Sequence, residues 1–185
     1  MMRRALIVGR ASRALEEYVA ARALGDFDEV LVVGAMSVTF PDRVDHLVSF
    51  HADFFDSWAA QRAAAGLPPA GCYWGARYRG RNLGEGKTRA RPLRYVECVG
   101  GSSGFVAVQA ALGPLACGRV VLAGVPMRAA DAHVGDAAPW DEADAYWSTW
   151  QERMVELRGR VRSMSGRTRE ALGEPTREWL HDSDE

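Results

Sequence analysis

Short apolar runs that close on glycine alternate along this chain with longer segments of mixed character. Arg4–Val8 closes on Gly9, Glu29–Val33 closes on Gly34, and the run 46–50 leads into His51. Unbroken apolar stretches, rather than apolar and polar positions in alternation, predict strands buried on both faces. Between them the spacing turns helical: Ser12 is placed to cap a helix reaching about Leu24. Asp53 opens another to about Ala65, in which Phe54, Trp58 and Arg62 share one face.

The most informative stretch begins at Glu97. A strand-like run ending at Val99 meets Gly100-Gly101-Ser102-Ser103-Gly104, then an apolar helix-like run to Gly113, then Arg119–Ala123 closed by Gly124. Strand, small-residue turn, helix and strand in this order predict parallel strands joined by a right-handed crossover. The segment 66–92 is rich in glycine and arginine and reads as an insertion without regular structure, apart from a short strand near 72–74; it is the part expected to move. From about 141 the chain turns helical as far as about Leu157, where Gly159 follows. A short strand at 160–164, a helix capped by Thr168 and a segment docking Trp179 complete the expectation, with a frayed tail from Asp182. The predicted fold class is α/β: a Rossmann-like, mainly parallel sheet with helices on both faces and a helical C-terminal extension.

Composition narrows the picture without changing it. At 185 residues and 48% hydrophobic, the chain suffices for one domain with a full core, and neither a repeat nor a linker divides it. A formal net charge of −1 gives no general attraction to nucleic acid or anionic membrane. The basic residues of 77–94 are locally dense, which fits either a solvated loop or a phosphate contact. Cys72, Cys98 and Cys117 stand apart in apolar or glycine-rich company, with no paired cysteines and no histidine at metal spacing. Buried free thiols, no metal and a cytoplasmic location follow as expectations, and no apolar run is long enough to span a membrane.

The chemistry is expected at the carboxyl ends of the strands, where such sheets bind ligands. The turn Gly100, Gly101, Ser102, Ser103, Gly104 exceeds what helix capping requires and is read as an anion site, its backbone N–H groups aimed at a phosphate. Gly9, Arg10 and Ser12 join it as phosphate-binding candidates, although Gly9 also fits a plain strand-to-helix turn. His51 and His133 are the candidate catalytic residues, each able to serve as general acid or base. Their alternatives are a cap on the following helix for His51 and a solvated loop position for His133. Trp74 and Trp140, expected in loops, are candidates for stacking on a base or sugar.

Several of these residues carry a resemblance. Gly100-Gly101-Ser102, Leu112-Gly113, the run ending at Gly124 and Asp131-Ala132-His133 resemble the motility accessory factor family. Its relatives include a 6-hydroxymethylpterin diphosphokinase and, more remotely, sialyltransferase-like enzymes. The likeness spans roughly residues 4–135, with the glycine-serine turn as its specific part. The C-terminal stretch 160–166 resembles uncharacterised proteins encoded by bacteriophages and prophages. The resemblance implies a transferase using a nucleotide or nucleotide sugar, moving a glycosyl or diphosphoryl group. Two departures stand against it: Val125-Pro126 replaces Gln-Asp after the strand glycine, and Arg10 replaces an amide in the first turn. The alternative is a non-catalytic nucleotide-binding or accessory protein. Either way, the expected partner is a small phosphate-bearing molecule, not a membrane or a specific nucleic acid sequence.

Overall fold

The computed structural model describes residues 2–131, 133 and 139–182. Its centre is a sheet whose strands are β1 (Arg4–Val8), β2 (Glu29–Val33), β3 (His46–Ser49), β4 (Cys72–Tyr78), β5 (Arg81–Asn82), β6 (Leu93–Cys98), β7 (Arg119–Ala123) and β8 (Val161–Ser163). The order is β5-β4-β3-β2-β1-β7-β8, with β6 pairing β4. Every pairing is parallel except the short β4–β5 hairpin. This is an open, mostly parallel α/β sheet flanked by helices, Rossmann-like in outline.

The strand periodicity sorts the core into two halves. On β1, Ala5 and Ile7 face one cluster while Leu6 and Val8 face the other, and Leu31 and Val33 alternate in the same way with Val30 and Val32 on β2. Helices α1 (Ala14–Arg22), α2 (Met36–Thr39) and α3 (Phe55–Ala64) cover the Leu6 side; α4 (Ser103–Leu112), α5 (Ala143–Glu152), α6 (Met154–Leu157) and α7 (Gly166–Leu172) cover the Ile7 side. Helix α8 (Arg177–His181) returns to the Leu6 side, where Thr176 accepts from the Trp179 backbone N–H and the Trp179 indole donates to Gly159 O at 3.0 Å. Helix α4 carries the chain from β6 at one side of the sheet to β7 beyond β1. It is buried almost all round because the sheet lies beneath it and Trp150 of α5 packs edge-on against Phe105, centroids 5.1 Å apart.

The structure corrects several expectations. Residues 66–92 are not an irregular insertion: they contain β4, which pairs β3 and β6, and the β5 hairpin. The segment is pinned to α3 by Asp56, whose carboxylate accepts from Thr88 Oγ1 at 2.6 Å and from the Arg89 and Ala90 N–H groups, which hold it below the usual carboxylate range. Trp74 therefore lies in no loop. It is buried in β4, and its indole donates to His46 Nδ1 at 3.0 Å, which leaves Nε2 to donate to Glu29. Ser12 does not cap α1, which begins after Arg13 with no side-chain cap. The helix foreseen from Asp53 starts as a short 3-10 turn at Ala52–Phe54 before α3, and that foreseen to Leu157 breaks at Arg153. Thr168 sits inside α7, donating to Val125 O at 2.6 Å instead of capping. The expected tail beyond Asp182 lies outside the described residues.

Arg62 is 1% exposed, and its guanidinium donates to the carbonyls of Ser37, Phe40, Asp42 and Pro68. A buried cation giving four hydrogen bonds to carbonyls ties the turns after α2 and α3 together.

Candidate functional site

A cavity of about 840 Å³ opens at the carboxyl ends of the strands, at the point where connections from β1 and β7 diverge. That position follows from topology, because the chain leaves β1 toward β2 and reaches β7 on the other side. Gly9 and Gly124 form its floor. A Cβ on Gly9 would fall 2.1 Å from Gly124 O, and one on Gly124 would fall 2.4 Å from Ala14 Cβ, so both turns need a residue without a side chain. Gly9 N–H donates to Ala123 O at 2.7 Å and Ala11 N–H to Gly124 O at 3.2 Å, closing the two strand ends against each other.

The glycine-serine turn forms one side. Gly100 at φ +127° and Gly101 at φ +86° adopt a backbone that carries the chain sharply from β6 into α4. Ser102 caps the helix, accepting from the Phe105 N–H at 3.4 Å, so part of the capping alternative holds for this residue. Ser103 Oγ accepts from the Phe50 N–H at 2.9 Å, tying the turn to the end of β3. The N–H groups of Gly101, Ser102, Ser103 and Gly104 have no acceptor among the described residues, and all four residues line the cavity. Beneath the turn, the Cys98 thiol donates to Gly100 O at 3.0 Å, and burial pushes that thiol up.

His51 and Arg10 flank the neighbouring wall. The His51 N–H donates to Ser49 Oγ at 2.9 Å; its side chain makes no cap to the 3-10 turn that follows, so the capping alternative fails. The imidazole lies within 6.3 Å of Phe54, ring centre to ring centre, and Phe54 stacks on Trp58 at 5.6 Å with only 22° between their planes. Arg10 reaches the same corner: a Cβ on Gly34 would lie 3.5 Å from Trp58 and 3.9 Å from Arg10 Cδ.

The facing wall comes from the segment after β7. His133 is brought in by an isolated antiparallel bridge to Ala11, and its ring lies 5.0 Å from Trp140, which in turn lies 5.8 Å from Tyr146. Asp131 and Glu142 also line this side, and burial raises the Tyr146 phenol. Val125, Pro126 and Met127 complete the floor; Met127 holds φ +55°, a conformation costly for a side chain of its size. Ala132 and residues 134–138 of the polar loop lie outside the described residues.

Thus His51, His133, Gly9, Arg10 and Gly100 to Gly104 come together in one cavity, whereas Ser12 is exposed and outside its wall. None of the basic residues of 77–94 lines it; Arg77 bonds Asn82, and Arg94 lies over the Trp74 ring. Trp140 lines it as expected, but Phe54, Trp58, Tyr78, Glu142 and Tyr146 were not foreseen. The one available signal was Phe54, an aromatic residue four positions before another at the start of a helix that follows a buried strand. Among the described residues no set of three or more histidine, cysteine or acidic side chains is placed to hold a metal ion, and no helix is long and apolar enough to cross a membrane. No family model, curated protein or solved structure matches this chain.

Proposed function

We propose that the protein is a transferase acting on a nucleotide or nucleotide sugar, with the ligand's phosphate held at the glycine-serine turn. The observation that carries this reading is the set of N–H donors from Gly101 to Gly104, without acceptors among the described residues, at the mouth of a helix inside a cavity that also contains both histidines. Backbone donors and a helix N-terminus favour an anion, and Arg10 adds a charge-assisted partner. With the phosphate fixed, His51 or His133 takes the proton from an acceptor hydroxyl as its oxygen bonds the transferred glycosyl carbon or phosphorus. The bond from that atom to the donor's phosphate oxygen breaks, and the helix N-terminus stabilises the charge left on the departing nucleotide phosphate. The likeness of the turn to the motility accessory factor family supports the same class.

A non-catalytic binding protein is the second reading, favoured by Val125-Pro126. At the strand end where the resembled family has a carboxylate, this chain has an apolar side chain and a residue without an N–H donor. Thermal-shift screening of nucleotides and nucleotide sugars, followed by mass spectrometry of each hit incubated with sugar and pterin acceptors, separates the readings. Stabilisation with turnover supports the transferase; stabilisation without turnover supports the binder. At a ligand concentration of 100 Kd the stabilisation is about 2.7 kcal/mol. A flat screen across all phosphate compounds removes both readings.

A further inference from the structure

We infer that the cavity takes a ligand with a ring at each end of its phosphate bridge: a planar base on the Phe54–Trp58 pair and a hydroxyl-bearing sugar against Trp140 and Tyr146. The inference rests on the phosphate reading above and names the ligand class that reading leaves open. The two aromatic pairs rise from opposite layers. Trp58 packs on the Leu6 side of the sheet, and Trp140 and Tyr146 on the Ile7 side, so the strand ends lie between them. The glycine-serine turn lines the same cavity as both pairs. Ser103 Oγ bonds the Phe50 N–H, four residues before Phe54, and a Cβ on Gly101 would lie 3.3 Å from Thr149 Cγ2, one helical turn from Tyr146. A phosphate held by the turn therefore shares its cavity with an aromatic pair from each layer.

The chemistry of the two walls differs. Phe54 stays 50% exposed although Trp58 lies nearly parallel to it, which leaves apolar ring surface in water at the edge of the cavity. Such a surface gains from covering by a flat, uncharged π-system. Among the described residues no carboxylate lines the cavity on this side. The acids that line it among the described residues, Asp131 and Glu142, both belong to the segment carrying His133, Trp140 and Tyr146. Carboxylates accept from hydroxyls while aromatic rings cover the C–H surface of a pyranose, so this wall suits a sugar and the other suits a base.

Titration calorimetry with inorganic pyrophosphate, the four common nucleoside diphosphates and the corresponding nucleoside diphosphate glucoses tests the assignment. Phe54→Ala and Glu142→Gln both change exposed positions, and unchanged melting temperatures would show that each variant folds. Phe54→Ala is expected to weaken the nucleoside diphosphates about tenfold while leaving pyrophosphate unaffected. Glu142→Gln is expected to weaken the glucose conjugate about fivefold while leaving the parent diphosphate unaffected. Pyrophosphate binding as tightly as every nucleotide, or either variant acting on its ligands without that discrimination, overturns the two-ring assignment and leaves the phosphate reading standing. Failure of the wild type to bind any of these compounds, pyrophosphate included, overturns the phosphate reading and the assignment with it.

Discussion

The Glu17 carboxylate accepts a hydrogen bond at 2.7 Å from the N–H of Gly124, 107 residues further along the chain, and Glu17 is only 8% exposed. Gly124 turns away from β7 at φ +69°, so its N–H points out of the sheet ladder and toward α1. Helix α1 thereby supplies the missing acceptor and locks the strand end that floors the cavity. A buried N–H needs a partner, and here a charged one comes from the first turn of a helix, where negative charge is also favoured by the dipole.

Removing that acceptor leaves the Gly124 N–H unsatisfied. Glu17→Ala is expected to lower stability by about 1–3 kcal/mol, and Glu17→Gln, which keeps an acceptor of the same reach, by less. Urea unfolding followed by circular dichroism checks both. Equal stability of the alanine variant and the wild type would mean that water reaches the Gly124 N–H.

The phosphate reading makes the turn sensitive to any side chain. Gly101→Val places a β-branched residue at φ +86° and 3.3 Å from Thr149, costing about 1–3 kcal/mol in backbone strain while also covering the N–H donors. Ligand affinity should fall at least about tenfold, the equivalent of about one lost charge-assisted hydrogen bond. Ser103→Ala, which removes only the acceptor for the Phe50 N–H, serves as the comparison. Unchanged affinity in a folded Gly101→Val protein, measured by calorimetry, would dismiss the anion site.

Much of the scaffold was legible because a strand covered on both faces must be continuously apolar, and β1, β2 and β7 are. Of strand β4 only the start, near 72–74, was legible. Gly75 interrupts its pattern and Arg77 and Tyr78 extend it into polar sequence, yet a Cβ on Gly75 would meet the Tyr95 ring at 2.7 Å, so that glycine serves a cross-strand contact instead of marking a loop. The strand exists because β3 and β6 supply partners on either side, which no local pattern reports. In the site, the glycine-serine turn announced itself through conformations and cap chemistry that are local. The Phe54–Trp58 wall did not, because those two residues have the spacing of an ordinary core stripe. Phe54 reaches the cavity from the 3-10 turn that precedes α3, a placement set by how β3 hands the chain on and not by any local spacing.

The Tyr18 and Asp42 side chains form a short hydrogen bond between α1 and the loop before β3. Burial first, and then the neighbouring carboxylate, push the Tyr18 phenol up to about 12; the same bond, foremost, holds Asp42 below the usual carboxylate range. The signs set two windows. Tyr18 has a raised folded pKa, so its contribution is complete below about pH 10 and is lost as pH climbs through about 12. Asp42 has a depressed one, so its contribution is present above the unfolded value near ~3.9 and fades as pH falls through the folded value. Tyr18→Phe should flatten both limbs of a stability-against-pH curve and cost about 1–2 kcal/mol at neutrality. Chemical denaturation at a series of pH values reads this directly, and limbs as steep as those of the wild type would contradict it.

The histidines separate a transferase from a binder. Both line the cavity of the glycine-serine turn, but they arrive by different routes: His51 on the end of β3, with its N–H held by Ser49, and His133 on a bridge to Ala11. A general base lowers the barrier by taking a proton as the bond forms, and it adds little to the grip on a phosphate held by backbone donors. Replacing the base with a neutral amide of similar reach should therefore reduce kcat by roughly 100- to 10,000-fold while leaving Kd within about twofold. His51→Gln and His133→Gln should not behave alike. Only the residue beside the acceptor hydroxyl carries the proton, and the other, on the opposite wall, should alter affinity for one end of the ligand more than turnover. Single-turnover rates and calorimetric affinities for each variant assign the roles. Loss of affinity in both variants with kcat unchanged would mean that neither imidazole moves a proton in the slow step, and the transferase mechanism drawn from this cavity would be wrong.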